Sequence, residues 1–424
     1  MVFIKKNNLS KDNVTFNKKY IILGIYALSL IIFGFLTNTP SEICSGLYRI
    51  LIEPDTLITD YIGVGGMGAA FINSGLLTLV FLFLLFKLKL NINGASIASL
   101  FLIAGFGLFG KNLMNVWFVI FGVYLYARVQ KNKFSKYIYI ALFGTAMAPM
   151  VTEIMFSTSL NKIISIPLGA FVGISIGFIL PPLSTYLLRV HQGFNLYNIG
   201  FTSGIIGTVF VSIFKSYGFL PNSRFIWTSG NNKLLSIYLF LMFLSMIILG
   251  YYLDDKSFSK VKNMTKYSGR LVTDFVLLEG FAPSLINMGI NGFISTSYIL
   301  LVRGDLNGPT IGGIFTVVGF GAFGKHLKNI LPIFLGIFLG SLTKIWAIND
   351  PAILLAALFG TALAPIAGEF GWIYGVIAAF IHSSVVLNVG VLHGGLNLYN
   401  NGFSAGIVAA TLVPIIEAFR KDDF

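Results

Sequence analysis

Two lysines, Lys111 and Lys325, stand in otherwise apolar sequence, each directly after a glycine-rich turn, Gly105-Phe-Gly107-Leu-Phe-Gly110 and Gly319-Phe-Gly321-Ala-Phe-Gly324. An ammonium in such a setting requires protein around it or an aqueous cavity beside it, and it attracts an anion or the polar end of a small solute. Asn115 and Asn329 follow these lysines and add neutral hydrogen-bonding capacity. Glu153 and Glu369 each lie four residues beyond an Ala-Pro step, Ala148-Pro149 and Ala364-Pro365. Proline removes a backbone donor and frees carbonyls for a cation or water. A carboxylate beside such a break either carries coupling protons or sodium, or is merely solvated at the membrane edge. Asp60 and Asp274, each after a threonine, either cap the next helix or join that ion-coupling set. Asn198 and Asn400 close Asn-Leu-Tyr-Asn motifs that follow His191 and His393. They can cap helices, bridge neighbouring helices or replace the hydration of a solute.

These residues come in pairs because the chain repeats itself. Asn93 to Asn115 reads NGASIASLFLIAGFGLFGKNLMN, and Asn307 to Asn329 reads NGPTIGGIFTVVGFGAFGKHLKN. In the same order, Leu57-Ile-Thr-Asp60 returns as Leu271-Val-Thr-Asp274, and Asn73 returns as Asn287. Phe143-Gly-Thr-Ala146 returns as Phe359-Gly-Thr-Ala362. A duplicated membrane unit is the hallmark of transporter and channel folds, whose site lies between the halves. The division falls at residues 1–217 and 218–424.

Of the 424 residues, 56% are hydrophobic and 11% charged, and the mean hydropathy is +0.84. With 46 glycines, that composition specifies an all-α integral membrane protein with lipid as its main partner. Cys44 is the one cysteine, which excludes an internal disulfide and a cysteine zinc site. The four histidines, His191, His326, His382 and His393, form no metal-binding spacing. No nucleophile with a base and no phosphate loop is visible, so no enzyme, metal or cofactor is expected. The net charge of +13 sits in short segments between apolar runs, the pattern of a cytoplasmic membrane face rather than of nucleic-acid binding.

Each half offers about seven apolar segments: 20–36, 61–86, 95–110, 114–127, 137–157, 163–186 and 194–214, then 234–253, 275–302, 309–324, 330–346, 352–370, 371–390 and 395–417. A span needs about 20 residues. The third and fourth segments of each half are shorter and joined by the glycine-rich elbow, as a re-entrant hairpin or two broken spans. The first segment follows a basic tail without a small-residue cleavage site and is expected to be retained. An odd number of segments per half turns the second copy upside down. The Arg128–Lys136 loop is basic, while its counterpart, Lys344 to Asp350, is nearly neutral. The Glu42–Asp60 loop is acidic, while Asp254–Asp274 is net basic. The N-terminus is therefore expected in the cytoplasm; Lys215, Arg224 and Lys233 are the exception.

Both elbows spell GxGxxG, but they lack the strand-to-helix setting and the acid of a dinucleotide fold. The twin Phe-Gly-Thr-Ala-x-Ala-Pro and Asn-Leu-Tyr-Asn-x-Gly-Phe motifs resemble a bacterial polytopic membrane family catalogued as domain of unknown function 1576. That resemblance implies a bacterial cytoplasmic-membrane protein and no activity. The layout is also similar to that of nucleobase and anion transporters, and faintly to urea channels, without their motifs. The expected function is secondary transport of a small polar or anionic solute. Lys111, Lys325, Gly110, Gly324, Asn115, Asn329, Asn198 and Asn400 would contact it, while Glu153, Glu369, Asp60 and Asp274 would serve ion coupling. A passive channel, a membrane scaffold and a homo-oligomer remain open.

Overall fold

The computed structural model describes residues 14–420. Lys5, Lys6 and Lys11 of the basic tail, assigned above to the cytoplasm, lie outside the described residues. The first half contributes α1 (Phe16–Thr37), α2 (Met67–Lys87), α3 (Gly94–Phe106), α4 (Val116–Val129), α5 (Ile138–Ser157), α6 (Lys162–Leu187) and α7 (Asn198–Ser216). The second contributes α8 (Asn232–Leu253), α9 (Phe281–Leu301), α10 (Gly308–Phe320), α11 (Leu327–Thr343), α12 (Pro351–Phe370), α13 (Trp372–Val389) and α14 (Asn400–Phe419). Each helix thus has its repeat partner seven places on. Ten of them, all but α3, α4, α10 and α11, are long and apolar enough to cross a bilayer. Large apolar side chains such as Ile21 and Leu36 on α1, and Ile163, Phe171 and Tyr186 on α6, are exposed on the outside. That surface is stable only against lipid tails. The chain is a multi-pass membrane protein that contacts the bilayer. A capped amphipathic helix, Pro40–Ile52, is an addition not expected from the segment pattern.

The two halves are inverted copies. Within the first, α1 runs antiparallel to α2: the Tyr20 hydroxyl donates to Leu90 O at 2.7 Å at one end, and Gly34 meets Gly68 at the other. The second half repeats this in α8 and α9, where Gly250 meets Ala282 and Gly289 meets Phe243. Between the halves, α1 and α8 are also antiparallel, with Tyr26 hydrogen-bonded to Ser245 and Ser29 to Tyr238. Arg224, one of the exceptional positive residues, is paired with Glu53 at 2.5 Å.

At 13 residues each, α3 and α10 are about 20 Å long, too short for a hydrocarbon core of about 30 Å. They are apolar all round, and every residue of α10 is buried, as expected of a helix enclosed by protein. The two cross each other antiparallel on glycine. A Cβ on Gly105 would lie 2.7 Å from Gly312 O, and one on Gly319 would lie 2.6 Å from the Phe101 Cβ. The start of α3 adjoins the start of α5, since Ser96 Oγ and the Tyr139 hydroxyl are 2.7 Å apart. Both outer ends of the α3–α4 hairpin therefore lie at one end of the molecule, with the elbow turned inward.

Each hairpin is anchored by the opposite half. Asp274 accepts from the Gly94 N–H at 2.9 Å, capping α3 from the second half. Asp60 accepts from the Gly308 N–H at 3.1 Å, capping α10 from the first. Each also caps its own chain, at Leu277 N and Ile62 N, and Asp60 further receives the Thr228 N–H and hydroxyl. Removing a buried carboxylate that satisfies several donors at a helix N-terminus costs on the order of 3 kcal/mol. Asp60→Ala should lower the midpoint of thermal unfolding in detergent by several degrees, whereas Ala at the exposed Glu369 should leave it unchanged.

Candidate functional site

The elbows are held by asparagines. Asn73 Nδ2 donates to Gly107 O at 2.7 Å and Lys111 O at 2.8 Å. Asn287 repeats this on Gly321 O and Lys325 O, both at 2.7 Å. Asn115 and Asn329 donate to Gly110 O and Gly324 O at 3.1 and 2.9 Å. Gly110 and Gly324 take φ of +82° and +101°, which a residue with a Cβ adopts only at a cost. Of the eight residues assigned to solute contact, these four therefore shape the turn that aims the lysines.

Lys325 Nζ points to the molecular centre, donating to the Tyr197 hydroxyl at 2.5 Å and Thr361 Oγ1 at 2.7 Å. It also lies over the Tyr197 and Phe320 rings, 4.6 and 5.1 Å from their centroids. Cation–π contact and two hydroxyls offset part of the cost of burying the amine. Lys111 is just as buried and sits 4.8 Å over the Phe106 ring. Its amine nevertheless has no hydrogen-bond partner among the described residues, and neither has the hydroxyl of Tyr399, the repeat counterpart of Tyr197. The Tyr197 and Tyr399 rings meet 5.2 Å apart, between the two lysines.

Both tyrosines come from the repeated Asn-Leu-Tyr-Asn motif, and each motif docks on the other half. The Leu196 N–H donates to Ala362 O at 3.0 Å, and the Leu398 N–H donates to Ala146 O at 3.1 Å. These carbonyls belong to the 3-10 turns that precede the two Ala-Pro steps. The backbone loosened by proline is thus spent on holding the halves together. Asn195 Nδ2 reaches Gly402 O at 2.9 Å and Asn397 Nδ2 reaches Gly200 O at 3.3 Å. Asn198 bonds His191 at 2.9 Å and Asn400 bonds His393 at 2.9 Å, closing the α6–α7 and α13–α14 loops.

Two cavities related by the repeat lie beside the Asn-Leu-Tyr-Asn loops. One, of about 130 Å³, is lined by Leu57, Phe109, Phe359, Leu398, Asn400 and Asn401 among others. The other, of about 100 Å³, is lined by Leu271, Phe323, Phe143, Leu196, Asn198 and both tyrosines. Asn198 and Asn400 are therefore the solute candidates that also border open space.

The carboxylates do not join the lysines. Asp60 and Asp274 are the helix caps described above. Glu369 is exposed. Glu153 is buried in a π-turn, where Oε1 accepts the Asn222 N–H at 2.9 Å and the Ser157 hydroxyl lies beside the carboxylate. A fifth acid, Asp55, is fully buried beside it, accepting from Thr152 Oγ1 at 3.0 Å and Asn115 Nδ2 at 3.3 Å. The sequence signal for Tyr197, Tyr399, Thr145 and Thr361 was their place in duplicated motifs; Asp55 has no counterpart in the second copy and left no such signal.

A family model described as a protein of unknown function (DUF1576) matches residues 39–216 and 253–418. The chain belongs to this family. The two matched stretches fall one in each copy of the repeat, the first starting after α1 and the second at the end of α8. No curated protein and no solved structure matches the chain.

Proposed function

We propose that this DUF1576 member is a secondary transporter that moves a small polar or anionic solute across the bacterial cytoplasmic membrane, and that it is not an enzyme. The observation that carries this is a pair of fully buried lysine amines at the centre of an inverted repeat, in a molecule whose two repeat-related cavities are lined by the Asn-Leu-Tyr-Asn loops. A cation buried in a membrane protein is costly unless it pairs, lines a pathway or binds a substrate. The α3–α4 and α10–α11 pairs act as re-entrant hairpins whose tips meet the solute. The tyrosine pair borders one of the cavities, and alternate access comes from one group of helices moving against the other. Lys325, tied to Tyr197 and Thr361, acts as a latch; Lys111 offers its amine to the solute. Proton or sodium coupling falls to carboxylates outside the lysine centre.

The test is uptake into proteoliposomes from a panel of radiolabelled anions and small polar solutes. Lys111→Ala and Lys325→Ala should each lower the initial rate at least tenfold, and unchanged transport by both would remove the lysines from the pathway. The equal stapling of both elbows by Asn73 and Asn287 also suits a rigid pore. Uptake that never exceeds equilibration, with any ion gradient imposed, would favour that channel reading. Orientation has its own check. In a Cys44→Ser background, Arg128→Cys should react with an impermeant thiol reagent from the cytoplasmic side and Lys344→Cys from the opposite side; labelling from one side alone would break the inverted topology.

A further inference from the structure

The two halves depart from their symmetry most sharply beside the elbow that carries Lys111. In the second half, Gly269 and Gly368 close the structure backbone to backbone: a Cβ on Gly269 would lie 2.1 Å from Gly324 O, and one on Gly368 would lie 2.1 Å from Ser268 O. By the repeat register, the first half has Asp55 and Thr152 at these places, and Tyr61 where the second has Phe275. A carboxylate, a hydroxyl and a phenol thus stand where the other copy has two glycines and a phenylalanine.

These three groups face one another in a closed space. Asp55 and Tyr61 are fully buried. Asp55 Oδ2 is taken by Thr152 Oγ1 and Asn115 Nδ2, and the Tyr61 hydroxyl faces the same carboxylate, beyond ordinary hydrogen-bond length from Oδ1, which is left without a close donor among the described residues. The charged groups facing Asp55 are both acids: Glu53, paired with Arg224, and Glu153. No described cation neutralises Asp55 itself, and an isolated buried carboxylate is expensive. Asn115 Nδ2 also donates to Gly110 O, next to Lys111. The carboxylate is therefore linked by one side chain to the elbow whose lysine has no hydrogen-bond partner among the described residues.

The geometry points to Asp55 as a proton-binding site of the first half alone, which loads a proton on Oδ1 and signals its charge to the Lys111 elbow through Asn115. The proton comes from the aqueous phase, converting the carboxylate to a neutral acid that can donate to the Tyr61 oxygen. The neutral acid is a weaker acceptor at Oδ2, so the hold on Asn115, and through it on the Gly110 carbonyl, loosens. This rests on the transport reading only for its purpose, since proton binding can be followed without any solute.

The experiment is infrared difference spectroscopy on the full-length protein in lipid while the pH is stepped. Wild type should show the carbonyl stretch of a protonated carboxylic acid that titrates with pH. Asp55→Asn should lose that band, Glu153→Gln should retain it, and Asp55→Glu should shift it. The last variant keeps the test decisive if the amide disturbs folding. A band unchanged in Asp55→Asn would overturn the assignment. So would a band in wild type that responds to sodium at fixed pH and not to protons. Failure of all solute uptake with the Asp55 band intact would defeat the transport function and leave this site standing. Uptake driven by a pH gradient in an Asp55→Asn protein that keeps the infrared band would do the reverse.

Discussion

Lys111→Met is expected to make the protein more stable and to abolish its transport. The amine is fully buried without a hydrogen bond among the described residues, so replacing it by a thioether of similar shape removes an unpaired charge from an apolar surrounding. An unsatisfied buried polar group costs roughly 1–3 kcal/mol, more when charged. The midpoint of thermal unfolding in detergent should rise by several degrees. Uptake of the solute should fall at least tenfold in the same preparation. Lys325→Met should behave differently, because that amine already bonds Tyr197 and Thr361. Its loss takes a donor from both the buried Tyr197 hydroxyl and Thr361, so stability should fall or stay level. A rise in stability for both variants would mean that the difference between the two lysines is not real. A group kept at a net cost to the fold is retained for what it binds.

Gly105→Leu or Gly312→Leu should prevent stable assembly of the two halves. The helices α3 and α10 touch backbone to backbone: a Cβ on Gly105 would lie 2.7 Å from Gly312 O and 2.9 Å from Gly312 Cα, and one on Gly312 would lie 2.2 Å from the Phe109 ring. Neither side can give way, since both helices are buried all round. Overpacking of this kind costs about 3 kcal/mol or more, and the crossing joins the halves at the centre of the lysine site. The monodisperse fraction in size-exclusion chromatography should collapse for either variant. Gly24→Ala, where the added methyl meets only Leu82 Cδ2 at 3.6 Å, should behave like wild type.

Much of this architecture was visible in the residues. Composition and the apolar runs specify a helical membrane protein, because any backbone in lipid must satisfy its own hydrogen bonds. The duplicated motifs locate the elbows, the Ala-Pro breaks and the Asn-Leu-Tyr-Asn loops, and the swapped loop charges give the inversion. The lysines were also visible, since charge is rare in such sequence.

Roles within the duplicated motifs were harder to read. A repeated polar residue is equally consistent with a binding contact and with a hydrogen bond that the fold needs. Asn115 and Asn329 prove to hold the elbow backbone, and Asp60 and Asp274 cap helices of the opposite half. These two cross-half caps join residues 180 and 248 positions apart, and local pattern carries no information about them. The tyrosines illustrate the same point, as Tyr197 meets Lys325 only because each final helix docks on the other copy.

Departures from the repeat were hidden for a related reason. Glu153 and Glu369 occupy equivalent places in the chain, yet one is buried and the other exposed. Lys111 and Lys325 are likewise equivalent in sequence, and only Lys325 has hydrogen-bond partners among the described residues. Burial and pairing depend on every element that converges on a side chain, so two identical motifs acquire different chemistry once their neighbours differ. Linear order was enough to reveal the two copies, their opposed directions and the polar groups they carry inward. Which of those groups brace the backbone and which are left with free hydrogen-bonding capacity was decided by three-dimensional packing alone.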